Sequence, residues 1–315
     1  MVDFATVEDV SLDAFLSVSA ASPHQEQLRE YAESLLQRRS TRPCWCVLGL
    51  ESGVPVARAA LWALPDETVP TDVVLIDLLD WNDPELAAGH ALVARVHEAA
   101  NNLGAGALRH HVDSPPRAPQ YQDNESARVR LMTEAGYALL RDGLRWRCTP
   151  SPALEPRQES LLTFRALPEV GEEVFVEAIA TTYEGTRDAW LARNIQARGL
   201  VGAARSDFLD YQELDHLREW WELAYAEDGA LAGVVMPARN PTSAVVAYVG
   251  VVPEQRGRGL AAQLVQRATE QLIDSGADEI QGDCDRDNVP MVKAFRRAGY
   301  EQIARRRSYE RAPAA

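Results

Sequence analysis

Residues 246–262 read Val-Ala-Tyr-Val-Gly-Val-Val-Pro-Glu-Gln-Arg-Gly-Arg-Gly-Leu-Ala-Ala. An apolar strand ends at Pro253-Glu254, an Arg/Gly turn follows, and an amphipathic helix opens at Leu260. The first N–H groups of a helix have no partner inside it, and the helix dipole favours an anion there. Gly257 and Gly259 let backbone approach phosphate oxygens, while Arg256 and Arg258 offer charge-assisted donors. The pattern reads as a seat for a diphosphate.

Thirty residues on, Asn288-Val-Pro-Met-Val-Lys-Ala-Phe295 leads to Arg-Arg-Ala-Gly299-Tyr300. The Arg256-to-Ala261 stretch and this block, in this order, resemble the signatures of the GNAT N-acetyltransferases. The resemblance implies an α/β (α+β) fold in which two strands splay. It also implies an acetyl-CoA cosubstrate whose pantetheine arm pairs with the first of those strands. Backbone at Val249, Gly250, Val251 and Val252 would receive the arm. The diphosphate would sit at Arg256, Gly257, Arg258, Gly259, Leu260 and Ala261. Asn288 would reach the cofactor arm or simply cap its helix. Phe295 stands where many members carry a tyrosine near the sulfur, and phenyl has no proton to give.

The whole chain fits a tandem arrangement, known in the superfamily among mycothiol synthases. Leu86-Ala87-Ala88 recurs as Leu260-Ala261-Ala262, and Ala135-Gly136-Tyr137 as Ala298-Gly299-Tyr300. Strands are expected over 44–51, 54–62, 73–79 and 107–113, with helices over 85–103 and 125–135. The second half repeats this order: strands over 221–226, 230–236, 244–252 and 279–283, helices over 260–275 and 288–298. An extra Pro-rich loop over 114–124 separates the copies in spacing. The expected division is a GNAT-like domain over 1–148, a Pro-rich linker over 149–160, and an acetyl-CoA-binding domain over 161–315, each a bent mixed sheet flanked by helices. In the first copy, Asn82-Asp83-Pro84-Glu85 stands in place of the Arg/Gly turn. Pro84 lacks an N–H and the acids repel phosphate, so that copy is read as degenerate.

Acetyl transfer needs a neutral amine, a donor for the oxyanion and a proton for the leaving thiolate. Candidates for acid–base work are Tyr248 on the strand, Asp283 and Asp285 after the next strand, and Glu184 with Asp188 after the first helix of the second copy. Each acid alone also suits a plain role, as a helix cap or a solvated loop residue. Trp190, Trp220 and Trp221 could line an apolar pocket or fill the core.

Net charge is −15, shared by both halves, so neither offers a basic nucleic-acid surface. No apolar run reaches membrane-spanning length, and no secretory leader is visible at the first residues, which points to the cytoplasm. The four cysteines have neither disulfide nor zinc spacing. Cys44 and Cys46 would share one strand face. No metal is expected. The expected function is transfer of acetyl to an amine of a small molecule. A protein or peptide acceptor and a non-catalytic acyl-CoA-binding regulator are the rival readings. The expected partner is thus a small amine, not a nucleic acid or a membrane; a homodimer stays open.

Overall fold

The computed structural model describes residues 2–65, 67–150, 162–240 and 243–313. Most of the expected linker lies outside the described residues. The strands are β1 (Asp3–Thr6), β2 (Cys46–Glu51), β3 (Val54–Trp62), β4 (Asp72–Leu78), β5 (Leu108–Ser114), β6 (Ala138–Cys148), β7 (Thr163–Ala166), β8 (Glu222–Tyr225), β9 (Leu231–Arg239), β10 (Ala244–Val251), β11 (Ile280–Asp285) and β12 (Glu301–Arg311). The helices are α1 (Leu12–Leu16), α2 (Gln25–Gln37), α3 (Ala87–Asn102), α4 (Glu125–Glu134), α5 (Leu167–Val170), α6 (Glu172–Tyr183), α7 (Ala189–Gln212), α8 (Leu260–Asp274) and α9 (Val289–Arg297).

The chain forms two compact units, Met1–Arg141 with Ala304–Ala315, and Asp142–Ile303. The first has strand order β1-β2-β3-β4-β5-β12; the second has β7-β8-β9-β10-β11-β6. Each sheet is mixed, with one parallel pair, β4 with β5 and β10 with β11. The element order therefore repeats, as the landmarks suggest. The units do not divide at 148. Each is closed by a strand from the other half of the sequence: Arg305–Arg311 lies antiparallel to β5, and Gly143–Cys148 antiparallel to β11. Backbone pairing sets this exchange, and backbone pairing leaves no mark in composition.

In the second unit, apolar residues of β8–β11 face two layers. Leu264, Val265, Ala268 and Leu272 of α8 pack on one side with Val235, Val246 and Ile280. Phe175, Ile179 and Tyr183 of α6 and Phe208 of α7 pack on the other with Leu223, Val234 and Met236. The stripe of α8 recurs every three or four residues, the period that puts one helix face on a sheet. A β-bulge between Val246 and Tyr248 shifts the register against β9. It lets Val249 and Val251 join the α8 side while Tyr248 joins the α6 side. α7 is broken at Gly199, where φ is 71°. In the first unit, Cys46 is buried on β2 but Cys44 is exposed in the one-turn helix Pro43–Trp45, so the two do not share a strand face.

Candidate active site

β10 and β11 pair at Ala244↔Ile280 and Val245↔Gln281 and then diverge. Beyond Val245 the β11-facing edge of β10 has no strand partner among the described residues. A wedge opens there, floored by the strand end Val249 to Val252. Val251 carbonyl oxygen accepts from Arg256 Nε at 3.1 Å.

The turn after the wedge has the shape an anion seat needs. Gly257 and Gly259 both have φ of 80°, a region where a side chain costs about 1–2 kcal/mol. A Cβ on Gly257 would have nothing within 4 Å, so conformation and open space, not packing, account for the glycine. Gly259 is the N-terminal cap of α8 with no side-chain cap, leaving the first-turn N–H groups at Leu260 and Ala261 available. These residues would hold a diphosphate, and the open edge of β10 would hold an extended amide-bearing arm; the site fits acetyl-CoA on both counts. Both arginines have partners within the chain. Arg256 turns back, and its Nη2 donates to Thr182 carbonyl oxygen at 2.9 Å, tying the turn to α6. Arg258 Nη1 donates to Gln255 Oε1 at 2.9 Å and stays exposed.

Tyr248 stands beside the wedge on the α6 face. Its hydroxyl lies 2.6 Å from Thr182 Oγ1. Thr182 gives its one proton to Ile179 carbonyl oxygen, so Tyr248 is the donor in this pair. Burial pushes the Tyr248 hydroxyl pKa well above its ordinary value. A proton so engaged is poorly placed to leave.

Asp285 is buried, and its Oδ2 accepts from Ala189 N at 2.7 Å. Asp188 caps the same helix end through Leu191 N. Both carboxylates thus anchor the start of α7. Asp283 is exposed and lies 3.7 Å from Arg145 Nε. Glu184 ends α6 at the surface. Asn288 caps α9 by accepting from Met291 N. Phe295 is 2% exposed, stacks on Trp146 at 5.7 Å and meets the edge of Tyr300. It fills the core between α9, β11 and β6, and Gly282 is small because the Phe295 ring tip lies 2.6 Å from where a Cβ would be. Trp221 is core as well, with Nε1 bonded to Pro237 carbonyl oxygen.

One carboxylate escaped the sequence reading. Asp207 of α7 accepts from Tyr183 hydroxyl at 2.6 Å and from Asn194 Nδ2 at 2.8 Å. Burial, then the neighbouring acids Asp210 and Asp188, raise its pKa against the lowering effect of those donors. Tyr183 meets Tyr248 edge-on at 5.7 Å, and Tyr211, one turn along α7 from Asp207, stacks on Tyr248 at 6.3 Å. No single residue signals this group in sequence; the four-residue step from Asp207 to Tyr211 is its one trace.

A strand wedge beside a glycine turn that caps a helix is the arrangement that the GNAT resemblance implies. Residues 187–300, all within the second unit, match the Acetyltransferase (GNAT) family, and the chain carries a domain of that family. Mycothiol acetyltransferase of Clavibacter sepedonicus is 30% identical over 132 residues, 40% of this chain and 43% of that protein. The chain thus aligns with less than half the length of that curated relative. Over its whole length the fold is similar to a GCN5-related N-acetyltransferase from Sphaerobacter thermophilus, at TM-score 0.60 and 22% identity, covering 97% of that chain. It is also similar to a tandem GNAT protein from the clavulanic acid biosynthesis pathway, at TM-score 0.53 and 16% identity, covering 99% of that chain. No helix among the described residues is long and apolar enough to cross a membrane, and no group of three or more His, Cys, Asp or Glu among them could hold a metal ion.

Proposed function

We propose that this chain transfers an acetyl group from acetyl-CoA to the amine of a small molecule, using the second unit. The observation that carries this reading is the open wedge of β10 beside the Gly257–Gly259 turn. The unpaired edge of β10 orients an extended arm by backbone hydrogen bonds, and the start of α8 receives its phosphates. Backbone N–H groups of the same edge offer a donor to a thioester oxygen.

Asp207 is the group best equipped to receive the acceptor. It is a half-buried anion whose partners, Tyr183 and Asn194, are both neutral. An ammonium settling there gains a counter-charge and the faces of Tyr211 and Tyr248. A carboxylate of raised pKa is also the better base for drawing off the amine's proton before attack. Asp285 and Asp188 act one step back, holding the start of α7. The leaving thiolate takes its proton from solvent, since Phe295 is core and the Tyr248 proton is engaged.

Release of free thiol from acetyl-CoA, measured against polyamines, aminoglycosides, amino acids and peptides, tests the reading. Amine-dependent release with a small amine supports it. Release with peptides alone would make the acceptor a protein. No amine-dependent release from a chain that binds acetyl-CoA would make it a regulator.

A further inference from the structure

The first unit has a wedge of its own. β4 and β5 pair only at Asp72↔Arg109 among the described residues, then diverge. The edge of β10 has Arg256 on Val251 carbonyl oxygen; this edge is covered at Val73, Leu75 and Ile76. His110 Nδ1 on β5 lies 2.8 Å from Val73 carbonyl oxygen, and the carbonyl can only accept. The N–H of Leu75, whose φ of 54° turns the strand, donates to Gln120 Oε1 at 2.8 Å. Arg128 Nη1 donates to Ile76 carbonyl oxygen, and its Nη2 to Asp77 Oδ1 at 2.9 Å. Gln122 and Arg128 are both buried. The helix start is filled in the same manner. Asp83 Oδ1 accepts from Glu85 N at 3.0 Å and Oδ2 from Ala87 N at 2.9 Å, at the mouth of α3. Those N–H groups hold the Asp83 carboxylate well below its ordinary pKa.

We infer that the first unit is liganded by its own chain. Gln120, Arg128 and His110 take the strand contacts that an extended arm would need, and Asp83 takes the helix-end contacts that a phosphate would need. The extra loop over 114–124 supplies Gln120, while α4 supplies Arg128 and β5 supplies His110. A buried donor or acceptor left unpaired costs free energy, so the plug stays in place unless an entering ligand replaces every one of its bonds. The full chain therefore has one acyl-CoA site. This rests on the reading of the second unit given above.

Two measurements on the full chain test it separately from that reading. Calorimetric titration with acetyl-CoA should give one equivalent per chain in the wild type and in Gln120→Ala, where His110 and Arg128 still block the wedge. Two equivalents in the wild type would overturn the inference. Hydrogen exchange over residues 73–78 is independent of any ligand. Gln120→Ala should speed exchange at Leu75 several-fold, because its one acceptor is gone. An unchanged rate would overturn the plug. No acetyl-CoA binding at all, together with faster exchange at Leu75, would leave the plug standing and remove the function proposed for the second unit.

Discussion

Replacing Gly250 by Ala should disturb the join between the wedge and the acceptor side. The new Cβ would lie 2.4 Å from Tyr248 hydroxyl oxygen, 2.6 Å from Thr182 Oγ1 and 2.7 Å from Thr182 Cβ. None of these can give freely: Thr182 is buried in α6, and Tyr248 lies between Tyr183 and Tyr211. Overpacking of this kind costs about 1–3 kcal/mol. Separating Tyr248 from Thr182 forfeits a hydrogen bond worth about 1 kcal/mol. The sum is about 2–4 kcal/mol, and for a unit of this size it should lower Tm by about 5–15 °C. Denaturant and thermal unfolding, read with calorimetry of acetyl-CoA binding, would measure both consequences. Thr182→Ala creates room, so the double variant should be less destabilised than the two single effects combined. A Gly250→Ala protein within about 0.5 kcal/mol of wild type, the range of an ordinary surface change, would refute the packing argument.

Asp207→Asn should cut kcat/KM for an amine acceptor at least tenfold with acetyl-CoA affinity unchanged, and should abolish an activity limb that rises with pH through the raised carboxylate pKa. Phe295→Tyr should destabilise the second unit by about 1–3 kcal/mol, as overpacking does, because the buried ring packs over Gly282 and a hydroxyl would enter the core; equal unfolding midpoints would refute this. Burial pushes the His110 pKa down to about 3 from its ordinary 6.5. The unfolded chain gains this proton near pH 6.5 and the folded chain does not until about pH 3, so stability falls as pH falls across that window. His110→Gln should remove a slope of about 1.4 kcal/mol per pH unit there; an unchanged slope would count against a buried neutral ring.

The glycine turn was legible because glycine is the residue that accepts φ of 80° twice in three positions, and the chain must write that down. The strands and helices expected from periodicity lie within a few residues of their places, with β3 matching end to end. β1, β7, α1, α2 and α5 were missed, and so was the full length of α7. The exchanged closing strands were hidden, since hydrogen bonds between main chains do not depend on side-chain identity. Asp207 was hidden for a related reason. Its meaning comes from Tyr183 and Tyr248, brought from α6 and β10 by packing. The plug was half visible: the loop over 114–124 stood out as an insertion, and only the structure shows Gln120 reaching Leu75. Arg256 stands out in sequence for its charge, and only the structure shows its bonds to Val251 and Thr182 carbonyl oxygens.

The most direct test of the central claim is hydrogen exchange of the full chain with and without saturating acetyl-CoA. The account predicts new protection over residues 246–252, where the open edge of β10 gains partners, and over 257–262, where the start of α8 meets phosphate, with no change over 73–78. Protection over 73–78, or none over 246–252 at saturation, would contradict it.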